Sequence, residues 1–293
     1  MIGRAGWLGV AGAALLVAAC GGGAGPTPSA APVTTTAVTA APVTAAPSIA
    51  PTQGAGYTVV AIGDSIPYNS EDDCPGCTGF VDTYAAELGK ASSKTVAVVN
   101  NSEHNGNQVD MLLAGLTNQQ NRIDAVAGAD VVIVGIAHND VPMNRDDDSC
   151  DGPASEFPDW SKFTDACLAA EVARFTPKYE ALYARVAELR AGKPTLMLTI
   201  NRYNDWNGWP GHDLSPEGLA ATVKVIAAWN EMICSAAETS GFQCADISSA
   251  FNGDDGRTPS GDLLAGDYTH PSQKGNDLIA AVLLELGFQP LFQ

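Results

Sequence analysis

Val131-Val132-Ile133-Val134-Gly135-Ile136 is an unbroken apolar run, too short for a helix of ordinary length and rich in β-branched side chains. Such a run reads as a strand buried on both faces, the kind found inside a parallel sheet. The same reading extends outward from it. Residues 57–62 and 95–100 are further strand candidates, followed by helical periodicity at 80–88 and 108–116. Downstream, a polar insertion at 141–158 precedes a helical stretch at 160–189, expected to be interrupted near Pro177. A strand at 195–200, a helix at 216–239, a last short strand at 242–247 and a closing amphipathic helix at 272–286 complete the series. Strand–helix alternation of this kind predicts an α/β domain with helices on both faces of a parallel sheet. Ligands in such sheets bind beyond the carboxyl ends of the strands, so chemistry is sought in the residues that follow each strand.

The domain so defined spans 56–293. Residues 21–55 carry no charged and no aromatic side chain and consist mainly of Ala, Thr, Pro and Gly. They cannot bury enough apolar surface to offset their ordering entropy and read as a disordered tether. Before them, Arg4 precedes an apolar run at 7–19 that is too short to span a bilayer but suits a signal peptide. That run ends Leu16-Val17-Ala18-Ala19-Cys20, which resembles a bacterial lipobox. The resemblance implies that Cys20 is lipidated and anchors an exported protein to the outer face of the membrane. All 33 Asp and Glu, but only 15 Lys and Arg in the whole chain, give a formal charge of −18. A phosphate-binding footprint needs the opposite balance, so nucleic acid is excluded as a partner, as is a basic patch for anionic lipid.

Beyond Cys20 there are Cys74, Cys77, Cys150, Cys167, Cys234 and Cys244. An even set in an exported chain implies disulfides, and sequence proximity favours 74–77, 150–167 and 234–244. Cys74-Pro75-Gly76-Cys77 also has C-x-x-C spacing, but no second such pair completes a zinc site. The acidic clusters Glu71-Asp72-Asp73 and Asp146-Asp147-Asp148 lack the spaced oxygen ligands of a calcium loop and read as solvated. No metal or cofactor is expected. Asn252-Gly253-Asp254-Asp255-Gly256 reads as a turn.

Four fragments lie at strand exits. Gly63-Asp64-Ser65 places a hydroxyl on a tight turn at the sheet's ligand edge. Asp267-Tyr268-Thr269-His270-Pro271 sets a carboxylate three residues before an imidazole, close enough to hold Nδ1–H and leave Nε2 to accept a serine proton. Between them, Gly106 in the loop after 95–100 and Asn139 after 131–136 can supply donors to an oxyanion. Together with Ile66 and Asp140, these fragments resemble the four blocks of the SGNH (GDSL-type) hydrolases and span 63–271. Ala137 stands where the asparagine block usually has glycine, and alanine would be strained there if the backbone took a positive φ.

The resemblance implies a three-layer flavodoxin-like sandwich and a serine esterase that needs no cofactor. It implies Ser65 as nucleophile, His270 as base and Asp267 as its orienter. Ser65 N–H, Gly106 N–H and Asn139 Nδ2 would form the oxyanion hole. The loop at 201–213 carries Trp206 and Trp209 among several amides, a combination that suits a sugar ring or simply caps the core. The expected substrate is a small or glycan ester with a short acyl group. A lipase or thioesterase, and a ligand-binding lipoprotein without turnover, are the alternatives. His104 and His138 sit beside the oxyanion residues with no carboxylate partner visible in sequence.

Overall fold

The computed structural model describes residues 56–144, 150, 158–208 and 214–292. Cys20, the tether, the 146–148 cluster and Trp209 lie outside them. Five strands appear in the expected places: β1 (Tyr57–Gly63), β2 (Val96–Asn100), β3 (Val131–Gly135), β4 (Leu196–Ile200) and β5 (Gln243–Ala245). They form one sheet in the order β2-β1-β3-β4-β5, parallel throughout. This is the doubly wound order of the flavodoxin type, whose strand sequence reverses between β1 and β3.

The helices are α1 (Ser65–Tyr68), α2 (Phe80–Ser92), α3 (Val109–Asn118), α4 (Gln120–Gly128), α5 (Asp165–Leu189), α6 (Pro216–Thr239), α7 (Ile247–Asn252) and α8 (Gln273–Glu285). Strand alternation sends Val60, Ile62, Val132 and Val134 into a core with α3, α4, α5 and α6. Val59, Ala61, Val131, Ile133, Leu196 and Leu198 point the other way, toward α2, α7 and α8. All five residues of β3 are buried, as a central strand between two helical layers requires. The three layers expected from the sequence are therefore present. No helix among the described residues is long and apolar enough to cross a membrane.

Three local differences have physical causes. The helix at α5 runs unbroken through Pro177. Phe175 on one side and Tyr179, Leu182 and Tyr183 on the other are buried in the core, and this packing outweighs the lost backbone bond. Helix α4 was not expected, because only Arg122 and Val126 of its nine residues are buried and it presents no apolar stripe. The last strand is shorter than 242–247. Asp246 accepts from Ser249 N and caps α7, which takes over at Ile247.

Disulfides join Cys74 to Cys77, Cys150 to Cys167 and Cys234 to Cys244. Asn276 on α8 fastens the other helical layer. It is fully buried, accepts from Phe80 N at the start of α2 (3.0 Å), and donates to Asn69 Oδ1 beyond α1 (3.0 Å). The segment between Asn69 and Phe80 is thus pinned at both ends beside the carboxyl edge of the sheet.

Candidate active site

Gly63 ends β1 where the backbone of β3 passes very close; a Cβ there would lie 1.8 Å from Gly135 O. No side chain fits, so the chain can turn sharply into Asp64 and Ser65. Asp64 is 1% exposed and accepts from Ile66 N (3.0 Å), Ala137 N (3.0 Å) and His138 N (3.1 Å). Its carboxylate therefore caps α1 and holds the loop after β3 at once. Ser65 becomes the first residue of α1, where a backbone N–H has no acceptor in its own helix.

Ser65 Oγ lies 2.8 Å from His270 Nε2, and His270 Nδ1 lies 2.5 Å from Asp267 Oδ2. A carboxylate only accepts, so Nδ1 carries the proton and Nε2 of the neutral ring accepts from the serine hydroxyl. Asp267 Oδ1 is held by Thr269 N and His270 N, each at 3.0 Å. Burial alone would raise the Asp267 pKa, but the hydrogen bonds from His270 and from these amides lower it below the usual carboxylate value. Burial likewise works against charging His270. The Asp267 hydrogen bond and charge, joined by Asp73 and Asp64, outweigh it and raise the imidazole above its ordinary value.

The other predicted residues gather at the same edge. Gly106 adopts φ +65°, a conformation that favours glycine, in an exposed turn. Its neighbour Asn107 is buried and donates to Gly63 O (2.8 Å), fastening this loop to the end of β1. Asn139 Nδ2 donates to Asn107 O (3.0 Å), so the glycine and asparagine loops meet. Ala137 is absent from the positive-φ residues and accommodates its side chain without that strain. Asp140 accepts from Val109 N and from Tyr179 OH (2.7 Å), a supporting role inside the fold.

Both neighbouring histidines face carboxylates that their local sequence does not reveal. His138 is buried, with Nε2 3.6 Å from Asp205 Oδ2 and its ring against Tyr203. Burial and Arg202 hold its pKa below the ordinary imidazole value, against Asp205. Burial would raise Asp205, but Arg202 (2.8 Å) and His138 bring it down to about 2. His104 Nε2 lies 3.1 Å from Asp73 Oδ2, which is itself 3.5 Å from His270 Nε2. Asp73 therefore sits at the site and not in a solvated cluster, although nothing local in 71–73 signals it.

Trp206 is half-buried, its ring edge-on to Trp160, and packs against the core. The amides of the same loop are turned inward: Asn201, Asn204 and Asn207 are all buried. Exposed aromatic rings are found instead at Tyr68, in α1, and Tyr268, between Asp267 and His270. A cavity of about 380 Å³ opens between α6 and the 246–256 segment, but it is lined by none of Ser65, Asp267 and His270. Asp73, Asp267 and His270 bring potential metal-ligand atoms within 4.8 Å of one another. A cation there would compete for the imidazole that holds Ser65.

Residues 61–278 match the GDSL-like Lipase/Acylhydrolase family. Among solved structures, the chain is similar to a lipase from a goat rumen metagenome, at 17% identity and TM-score 0.62, covering 80% of this chain and 100% of that one. It is also similar to a variant of an acetyl xylan esterase from Geobacillus stearothermophilus, at 20% identity and TM-score 0.51, covering 82% and 99%. At these identities the likeness is one of fold. No curated protein sequence matches the chain at a significant level.

The His270 geometry has a direct spectroscopic consequence. Its ring is expected to titrate above the ordinary imidazole range by NMR, and Asp267→Asn is expected to move that titration to lower pH. Because the folded value is raised, the associated stability is full below the unfolded imidazole pKa and is lost as pH rises through the folded one. A His270 titration that Asp267→Asn leaves in place would contradict the assignment of its partner.

Proposed function

The chain belongs to the GDSL-like Lipase/Acylhydrolase family and so to the carboxylic ester hydrolases, and on that premise we propose a serine esterase that removes short acyl groups, acetyl above all, from a small-molecule or glycan alcohol. The observation that carries the reading is the unbroken hydrogen-bonded line from Ser65 Oγ through His270 to Asp267. In this mechanism Nε2 takes the Ser65 proton while Oγ attacks the ester carbonyl carbon. The oxyanion receives hydrogen bonds from Ser65 N–H, from the second Nδ2–H of Asn139 and from Gly106 N–H, which turns to it from His104 O (3.3 Å). As the tetrahedral intermediate collapses, Nε2 returns the proton to the departing alcohol oxygen. Water, deprotonated by the same nitrogen, then releases the acid from the acyl-enzyme. A binder without turnover has no use for this arrangement.

The preference for short acyl groups rests on the surface around the site. Long chains need a continuous apolar groove. The exposed large hydrophobics among the described residues, Tyr68, Val98, Met111 and Tyr268, come from four separate elements. In the same proposal, Cys20 is lipidated and the 21–55 segment tethers the enzyme outside the cell membrane. Cys20→Ser is expected to release the enzyme into the medium, and retention on cells would argue against the anchor.

Ser65→Ala is expected to abolish both turnover and labelling by a fluorophosphonate probe; full activity in this variant would sink the mechanism. Asn139→Ala is expected to lower kcat by about 10²–10³-fold with little change in KM. A pure KM effect would assign Asn139 to substrate binding instead. Each buried methylene is worth about 0.8 kcal/mol, so a lipase should gain along a series of p-nitrophenyl esters from acetyl to decanoyl. Here kcat/KM is expected to fall along that series, and a steady rise would favour the lipase reading.

A further inference from the structure

The segment between α1 and α2 brings a carboxylate to the reacting atoms that the triad does not use. Asp73 Oδ2 is 3.5 Å from His270 Nε2, too long for a hydrogen bond, whereas Ser65 Oγ holds that nitrogen at 2.8 Å. Asp73 is instead fixed from the far side by His104 Nε2, at 3.1 and 3.3 Å to its two oxygens. The His104 ring stacks on Tyr68 at 5.5 Å, and Tyr68 belongs to the same helical turn as Ser65. The backbone around Asp73 is equally constrained. Asp73 N and Cys74 N donate to Ser70 O, and the Cys74–Cys77 disulfide closes the next turn. The Asp73 side chain is only 15% exposed, so it is held close to the site at a desolvation cost.

That placement matters for the alcohol half of an ester. The departing oxygen must come within hydrogen-bond distance of His270 Nε2, because that nitrogen returns the proton to it. Asp73 Oδ2, 3.5 Å from that nitrogen, is then within reach of a group carried on the carbon next to the departing oxygen. An apolar substituent would strip water from the carboxylate and offer it no hydrogen bond beyond the one from His104. An anionic one would be repelled. A hydroxyl would donate to it, and hydrogen bonds to a charged acceptor are about twice as strong as neutral ones.

Building on the esterase reading, we propose that Asp73, positioned by His104, is a specificity-determining residue that accepts a hydrogen bond from a hydroxyl adjacent to the ester. The preferred alcohol is thus a polyol or sugar carrying its acyl group next to a free hydroxyl. His104 is a positioning residue that acts through Asp73.

The test compares two esters of equal size and identical acyl group. Glycol monoacetate carries the neighbouring hydroxyl, and propyl acetate carries a methyl in its place. Wild-type enzyme is expected to favour glycol monoacetate in kcat/KM by about tenfold or more. Asp73→Ala should bring the ratio to about one, with Asp73→Asn in between, since its amide oxygen still accepts, though without charge. Ratios within one enzyme cancel any effect of the substitution on His270 or on folded yield. His104→Ala should reduce the same ratio, because Asp73 is still present but no longer held. A wild-type ratio near one, or a ratio unchanged in Asp73→Ala, overturns the proposal while esterase activity stands. If wild-type enzyme hydrolyses neither ester nor p-nitrophenyl acetate, the esterase reading fails and this inference falls with it.

Discussion

The carboxylate of Asp64 is the contact on which the site depends. It lies at the point where the strand order reverses, and it binds three backbone amides from two different strand exits. One amide starts the turn that carries Ser65; the other two start the loop that carries Asn139. Ser65 and Asn139 are therefore placed by one buried group and not by two independent loops. The close approach of Gly63 to Gly135 O and the bond from Asp64 N to Gly135 O (2.9 Å) complete the junction. Without the carboxylate, three amides would be left beneath the site, each with a desolvation penalty of about 1–3 kcal/mol.

Around this junction the loops are fastened mainly by asparagine, whose side chain can both donate and accept like a peptide group. Asn107 ties the Gly106 loop to β1. Asn201 donates to Asp246 and accepts from Ser248 N, joining the exits of β4 and β5. Asn230 makes a reciprocal pair with the backbone of Arg202, and Asn252 does the same with that of Asn204. These are long-range bonds that tie irregular segments, which have no ladder of their own, to one another and to helices α6 and α7. They convert the carboxyl edge of the sheet into a rigid rim, which a site with distances near 2.8 Å requires.

This use of asparagine also explains where sequence reading stops. The strands were visible because burial on both faces leaves an apolar signature. The Asp267–His270 pair was visible because its geometry is contained in four consecutive residues. The amides of 201–207 looked like sugar ligands, but residue type alone does not tell an amide that faces solvent from one bonded to its own backbone. The partners of His104 and His138 were hidden for the same reason. Asp73 and Asp205 are brought to them by the fold across 31 and 67 positions, with no periodicity to betray the contact. Helix α4 escaped because a helix that buries two residues carries almost no pattern.

The two histidines at the sheet edge show how burial divides chemistry from support. His138 is enclosed, and the adjacent Arg202–Asp205 pair is already matched, so a proton added there would be poorly solvated. His270 is only partly buried, faces one carboxylate at Nδ1 and lies near a second at Nε2, so its charged form is favoured. In the proposed mechanism this ring accepts a proton and returns it within one cycle, and such surroundings favour the charged form it passes through. It also needs a fixed orientation, and here the two histidines are connected. Tyr203, whose ring lies against His138 and stacks on Phe251, donates its hydroxyl to Thr269 O at 2.6 Å. Together with the amides gripping Asp267, that bond holds the 267–270 turn, in which Tyr268 is forced to φ +61°. A non-glycine residue in that conformation costs about 1–2 kcal/mol, and the turn persists because its carbonyl and carboxylate are held from both sides. The fully buried histidine thus belongs to the support beneath the 267–270 turn, and the less buried one is the ring that carries the proton in the proposed mechanism.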